Sequence, residues 1–320
     1  MSWQPSATLD NLRARAKLLA DLRHFFAERN VLEVETPVLS YATVTNLHVH
    51  SIPAFFQMQG SDVKQTYYLQ TSPEYAMKRL LAAGSGAIYQ ISKAFRQGDL
   101  GHIHNPEFTM LEWYRPGYDH HQLMDEMDVM LQQVFYFLPA ERQTYQTLFE
   151  KHLGINPHTA TVMTLVDCAK QQGIDFSGEL TEKDAWLDLL WTHVIEPRVG
   201  QTCPLFLYDF PASQAALAKI RTEDHLVASR FEVYYQGIEL ANGFHELQDA
   251  VEQERRFEED RQLRRTAQLP DIHIDQLFLA ALKNGFPDCA GVAVGIDRLI
   301  MLALNKKNLA DVLSFSFERA

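Results

Sequence analysis

The sequence predicts an α+β fold, and three stretches carry that expectation. Residues 89–115, YQISKAFRQGDLGHIHNPEFTMLEWYR, read as two strands joined by a loop. The arm 88–95 alternates large with small or polar residues, the arm 107–114 is rich in aromatics, and Gly98 and Gly101 lie between them. Residues 231–249, FEVYYQGIELANGFHELQD, read as two further strand segments parted by Gly237. Segments of helical period complete the picture, the first running from Leu9 to Phe26.

Size and composition bound the answer. A chain of 320 residues, 46% hydrophobic and 22% charged, buries a substantial core as one large domain or two smaller ones. The formal net charge is −12 with no cluster of Lys and Arg, so a macromolecular partner need not be RNA. No apolar run approaches the ~20 residues of a membrane span. The opening MSWQPSATLDNLRARAK lacks the apolar core of a signal peptide, so a cytoplasmic protein is expected. Cys168, Cys203 and Cys289 are odd in number and far apart, which argues against a disulfide framework or a thiolate metal site.

Taken in order, Ser6 or Thr8 can cap a helix whose apolar positions are Leu9, Leu12, Ala16, Leu19, Leu22 and Phe26, with Asn30 ending it. VLEVETP follows as a strand closed by Pro37. His48 and His50 share one face of an expected strand; without a third ligand or an HExxH they are read as surface histidines. Tyr67-Tyr68-Leu69-Gln70 is the next strand. Thr71 or Ser72 can then cap a helix over 75–83 with Pro73 in its first turn, and Glu74 there complements the dipole. Residues 120–138 are expected to be helical. From about 144 to 200 helical segments form an insertion packed on the core, and the charges of 252–265 form a solvated helix face.

Three places carry chemistry. Arg96, His104, Glu107 and Glu112 sit on or beside one hairpin; a guanidinium is a bidentate partner for phosphate or carboxylate, and Phe108 can cover a purine face. A solvated hairpin with a mixed-charge loop is the alternative. Glu232 and Glu239 can converge on one face, as Mg²⁺ bridging to phosphate oxygens requires, or be two edge-strand glutamates. Residues 291–298, GVAVGIDR, place glycines for close backbone approach before Arg298, at a helix start that favours anions.

Phe95-Arg96, His104-Asn105-Pro106-Glu107-Phe108-Thr109-Met110, Glu112 and Tyr114 together resemble motif 2 of the class II aminoacyl-tRNA synthetases, in its lysine-branch form. The helix, strand and proline of residues 9–37 resemble motif 1, and Gly295-Ile296-Asp297-Arg298 with Met301 resembles motif 3. Pro73, Glu74, Lys78, Arg79 and Leu80 resemble the P-E-x-x-x-K-R-L element. The run from Ile238 resembles R-E-I-G-N-G-F-x-E-L-x-D, with Ile238 in place of Arg and Leu240-Ala241 in place of Ile-Gly.

The resemblance implies a class II synthetase core, a mostly antiparallel sheet flanked by helices, as a single catalytic domain over 1–320 that dimerises through motif 1. It implies ATP as substrate with Mg²⁺, and attack of a carboxylate on the α-phosphorus to give an acyl-adenylate and pyrophosphate, catalysed by positioning and charge neutralisation. Arg96 would hold the α-phosphate and carboxylate, and Arg298 and Phe108 would sandwich adenine. His104 would reach the outer phosphates, with Gln97, Gly98, Asn105, Leu240 and Gly295 completing the ATP site and Glu232 and Glu239 holding the metal. The amino-acid pocket would comprise Ser72, Pro73, Glu74, Glu112, Tyr114, Asn242, Phe244, Glu246 and Ala293. There Glu246 would neutralise an ammonium and Phe244 would cover its methylene stem.

Three departures refine the expectation. The motif 1 segment starts so early that no anticodon-binding barrel is expected before it. Ala293 replaces the family's glycine, and its methyl reshapes the amino-acid pocket. The family's Arg-x-Glu reads Arg96-Gln97-Gly98, so the carboxylate for the adenine amino group is missing unless Asp99 supplies it. A compact, acidic lysine-branch chain without an RNA-reading domain resembles the members that transfer (R)-β-lysine to a lysine side chain of elongation factor P, and the likeness extends to Ser72, Tyr114, Glu246 and 311–320. Elongation factor P rather than tRNA is therefore the expected partner. A truncated tRNA-charging enzyme would bring an RNA-binding appendage, and none is visible. A non-catalytic amino-acid-binding subunit would have lost Arg96, Glu239 or Arg298, and all three are present.

Overall fold

A computed structural model describes residues 3–60, 62–174, 180–224 and 226–320. Residues 175–179 of the expected helical insertion lie outside the described residues. The Thr8 hydroxyl accepts from the Asn11 amide to cap α1 (Leu9–Ala27), and Asn30 beyond it takes a left-handed φ of 52°. Its buried stripe is Leu18, Leu22, Phe25 and Phe26, whereas Leu9 is 62% exposed. Leu22 and Phe26 of the expected stripe are buried, Leu9 and Ala16 are not, and Leu18 and Phe25 join the covered face, because Phe26 packs on Tyr89 and Trp113 of the sheet beneath.

The chain continues through β1 (Leu32–Glu33), β2 (Leu39–Ser40), β3 (Pro53–Gln57), β4 (Lys64–Leu69), α2 (Glu74–Ala82), β5 (Ile88–Phe95) and β6 (Glu107–Pro116). It then runs through α3 (His120–Phe135), β7 (Glu141–Thr144), α4 (Tyr145–Leu153), α5 (Val162–Gln171), α6 (Lys183–Leu190), β8 (Leu205–Pro211), β9 (Val227–Tyr235) and β10 (Ile238–His245). The closing elements are α7 (Ala250–Thr266), α8 (Gln276–Lys283), β11 (Cys289–Gly295) and α9 (Ile296–Ala303).

Four local expectations change. The strand expected from VLEVETP is only Leu32–Glu33, parallel to β5. α2 starts one residue earlier than expected, so its cap position falls on Pro73, whose ring offers no acceptor, and Thr71 and Ser72 precede it without capping it. α3 stops at Phe135, where Tyr136 turns left-handed at φ 58°. His48 and His50 lie outside any strand, and no group of three or more His, Cys, Asp or Glu among the described residues could hold a metal.

Two compact units form, Met1–Gly117 with Gln248–Ala320, and Tyr118–Leu247. In the first, strands run in the order β1–β5–β6–β11, with β5, β6 and β11 antiparallel, beside a small antiparallel sheet β2–β4–β3. In the second, β10, β9 and β8 are antiparallel and β7 joins β8 in parallel. This is the α+β, largely antiparallel architecture that the resemblance implied. Within the second unit, α4 to α6 and a π-helical turn at Trp191–Ile195 pack Phe149, Leu187 and Trp191 onto Leu207 and Tyr234 of β8 and β9. The three cysteines are free, and among the described residues no helix is long and apolar enough to cross a membrane.

Candidate active site

In the first unit the strand period assembles the candidates. β5 and β6 pair Ala94 with Phe108, Gln90 with Glu112 and Ile88 with Tyr114, while β11 sets Ala293 opposite Glu112 and Gly295 opposite Met110. Directly opposed residues share a face. Phe108, Glu112, Tyr114, Ala293 and Gly295 therefore stand on one side of the sheet, and Tyr89, Leu111, Trp113, Val292 and Val294 fill the core on the other. Arg96 continues the pairing, its amide donating to the Pro106 carbonyl at 2.9 Å. Its guanidinium carbon lies 5.2 Å from the centre of the Phe108 ring, within cation–π reach. Glu112 is buried and accepts from the Tyr114 hydroxyl at 2.6 Å.

The loop of this hairpin meets the start of α9. Arg298 donates from Nε to the Ile103 carbonyl at 3.0 Å, and its Nη2 stands 2.6 Å from His104 Nε2. A guanidinium only donates, so His104 Nε2 accepts and the ring proton sits on Nδ1. Asn105 is buried, donating to the Glu107 carbonyl at 2.6 Å and accepting from the Phe317 amide at 3.0 Å, so its side chain fastens the C-terminal turn Phe317–Arg319 to the loop. Gly98 sits at φ 91°, where a side chain is strained; the missing motif 2 glutamate thus coincides with a turn that glycine alone adopts readily. Gln97 is exposed beside it, and its amide donates to the His50 carbonyl at 2.8 Å.

Ser72 and Pro73 line a cavity of about 600 Å³ that Tyr41, Arg79 and His273 also border. Glu74 accepts from Lys78 Nζ at 2.6 Å, a pair in which Lys78 is 1% exposed. In the sequence Lys78 stands out only within the P-E-x-x-x-K-R-L resemblance, although its four-residue spacing from Glu74 is the signal for such a pair. Asp297, part of the motif 3 resemblance, also has a structural task. It accepts from the Thr109 amide at 2.7 Å and pairs with Arg15 at 2.6 Å, tying α9 to β6 and α1. Asp297→Asn should leave that half-buried guanidinium without its counter-charge and cost about 3–5 kcal/mol. Urea unfolding of the variant measures this directly, and a change below about 1 kcal/mol would show that the pair contributes little.

In the second unit, Gln236 and Gly237, at φ 53° and 69°, turn β9 into β10. Glu239 lies opposite Tyr234, then the register slips, so that Ala241 faces Val233, Asn242 faces Glu232 and Phe244 faces Arg230. Leu240 is the extra residue. Without this bulge Asn242 and Phe244 would point away from the glutamates; with it, Glu232, Glu239, Asn242 and Phe244 share one face. Glu246, two residues on, is 1% exposed and its backbone bridges to Ala218. Glu232 accepts from Arg230 and, at 2.6 Å, from the Tyr234 hydroxyl, while Asn242 accepts from Arg230 at 3.2 Å. Burial pushes the Glu232 carboxyl well above its ordinary range; Arg230 pulls it back and the charge of Glu239 pushes it further up.

The family of class II tRNA synthetases (D, K and N) matches residues 1–319. Among curated proteins, the elongation factor P–(R)-beta-lysine ligase of Histophilus somni (strain 2336) is 52% identical over 318 residues, 99% of this chain and 98% of its own. The ligases of the same name from Salmonella paratyphi C (strain RKS4594) and Salmonella dublin are each 53% identical over 320 residues, 100% of this chain and 98% of theirs.

Proposed function

The chain belongs to the class II tRNA synthetases of the D, K and N group, and from that membership we propose that it activates (R)-β-lysine with ATP and ligates it to a lysine side chain of elongation factor P. The likeness to ligases of that name along all but a few residues of both chains carries the reading. The substrate carboxylate attacks the α-phosphorus of ATP, the bond to the bridging oxygen breaks and pyrophosphate leaves. The acceptor amine, having lost its proton, then attacks the acyl carbon; AMP leaves and an amide remains. Positioning and charge neutralisation dominate such a reaction.

Each group has a stated task in this reading. Arg96 holds the α-phosphate and carboxylate, Phe108 and Arg298 cover the adenine, and His104, with its proton on Nδ1, faces the outer phosphates beside Arg298. Gln97, Gly98, Asn105, Leu240 and Gly295 border the nucleotide, Asn105 through the loop that its side chain fixes. Glu112 with Tyr114, Glu74, Ser72 and Pro73 in the first unit, and Asn242, Phe244 and Glu246 in the second, would each contact the doubly aminated substrate. Glu232 and Glu239 fit Mg²⁺, since the two carboxylates share one sheet face and Glu232 is destabilised by burial, offset by Arg230 and increased by the charge of Glu239, which favours a shared cation. Bound there, the ion would neutralise phosphate charge.

The net charge of −12 favours a protein acceptor over tRNA. Leu9 and Leu32, exposed in the segment resembling motif 1, and Val38, Leu39 and Tyr41, exposed just after it, support a homodimer. The reading takes 1–320 as one catalytic domain acting in the cytoplasm, where elongation factor P works.

Pyrophosphate exchange with a panel of amino acids tests the activation step: (R)-β-lysine should support it, and a preference for an unrelated amino acid would overturn the reading. Ala293 provides the specificity test, because it stands opposite Glu112 on the candidate face. Its methyl should crowd an α-amino group. Ala293→Gly should raise kcat/KM for α-lysine relative to β-lysine by about 10–200-fold, the usual range for one methyl in a pocket. An unchanged ratio would make position 293 mere backbone packing.

A further inference from the structure

The corner that carries Arg96 is held from outside its own hairpin. On one edge, the Arg96 amide donates to Pro106 of the returning arm. On the opposite edge, the Phe95 and Gln97 amides donate to the carbonyls of Gln70 and His50, at 2.9 and 2.8 Å. His50 ends an irregular loop, 43–51, closed on itself by a hydrogen bond between the Thr43 and Ser51 hydroxyls. The tip of that loop is clamped to α7. Thr45 donates to Asp260 at 2.7 Å, and Arg264 donates to the Asn46 carbonyl at 3.1 Å and to the Pro270 carbonyl at 3.4 Å.

This clamp is buried, with Thr45 2% and Arg264 3% exposed. Burying the Arg264 guanidinium, on a helix otherwise rich in solvated ion pairs, and the Thr45 hydroxyl of the loop is costly unless their partners are fixed, so the contacts define one loop position rather than a general adhesion. We propose that Thr45, Asp260 and Arg264 are positioning residues for ATP, acting through loop 43–51 and the His50–Gln97 tether on the Arg96 corner. The inference rests on the reading of that corner as part of the ATP site. Displacement of such a group by about 1 Å costs about 100-fold in rate. Arg96, which meets both substrates, keeps its own bond to Pro106, so a loosened tether frees Gln97 and Gly98 first and is expected to act on the nucleotide before the amino acid.

The experiment compares Thr45→Val, Thr45→Ser and Asp260→Ala with the wild type in β-lysine-dependent pyrophosphate exchange, varying ATP and amino acid separately. Thr45→Val and Asp260→Ala should raise the KM for ATP about 10-fold while the KM for the amino acid stays within about 2-fold, and Thr45→Ser should restore the wild-type value. Hydrogen exchange at the Gln97 amide should quicken about 10-fold or more in Thr45→Val and not in Thr45→Ser. A wild type without exchange activity would remove the functional reading and this role with it. An active wild type in which Thr45→Val leaves the ATP KM and the Gln97 amide unchanged would overturn the inference alone, as would equal losses for both substrates with a lowered Tm.

Discussion

Arg298→Ala should abolish adenylate formation while leaving the fold intact. The side chain is half-buried at the first turn of α9 and holds the Ile103 carbonyl and His104 Nε2 at once, so it joins the loop of the β5–β6 hairpin to the helix that follows β11. Its removal opens no core cavity; the stability cost should be that of one or two hydrogen bonds, about 1–3 kcal/mol. For catalysis the loss is larger. A planar cation over the nucleotide and beside its phosphates is a preorganised charge, and removing one such group typically costs about 100–1,000-fold. Arg298→Lys should not rescue, because an ammonium cannot present the same fork to Ile103, His104 and a ring face together. Exchange within about 2-fold of wild type in Arg298→Ala would remove Arg298 from the site.

Glu246→Gln should weaken lysine-like substrates far more than ATP. Glu246 is 1% exposed one residue past β10, two residues beyond Phe244 of the face that the Leu240 bulge turns toward Glu232 and Glu239. An ammonium bound against it is desolvated and needs a full counter-charge, which an amide does not supply. The cost should be about 2–5 kcal/mol, equivalent to roughly 30- to several-thousand-fold in Kd. Calorimetry with the amino acid and, separately, with an ATP analogue resolves the two. Equal losses for both ligands would mean that Glu246 supports the strand and not the pocket.

The hairpin was legible because three signals coincide in it. Alternation, aromatic enrichment and a glycine-bearing loop set both starts, Ile88 and Glu107, and only the end of the second arm runs on, to Pro116. The two-residue Gln236-Gly237 turn likewise made the convergence of Glu232 and Glu239 readable. The bulge at Leu240 was not, since it exists only in the register between two strands. The stripe of α1 was legible only at Leu22 and Phe26: Leu9 obeys the same helical period but is exposed, and packing of Phe26 on Tyr89 and Trp113 brings Leu18 and Phe25 into the buried face. Contacts such as Arg15 with Asp297 and Thr45 with Asp260 join residues far apart in the chain, and no local pattern announces them.

The central claim is transfer to a protein side chain. Purified chain, ATP and isotopically labelled (R)-β-lysine should be incubated in parallel with elongation factor P and with tRNA, and the products followed by mass and by stability to alkali. An amide survives mild alkali and an aminoacyl ester does not. Alkali-stable label should appear on one lysine of elongation factor P, formed with AMP and pyrophosphate, and none on tRNA. Alkali-labile label on tRNA, with elongation factor P unmodified, would contradict it.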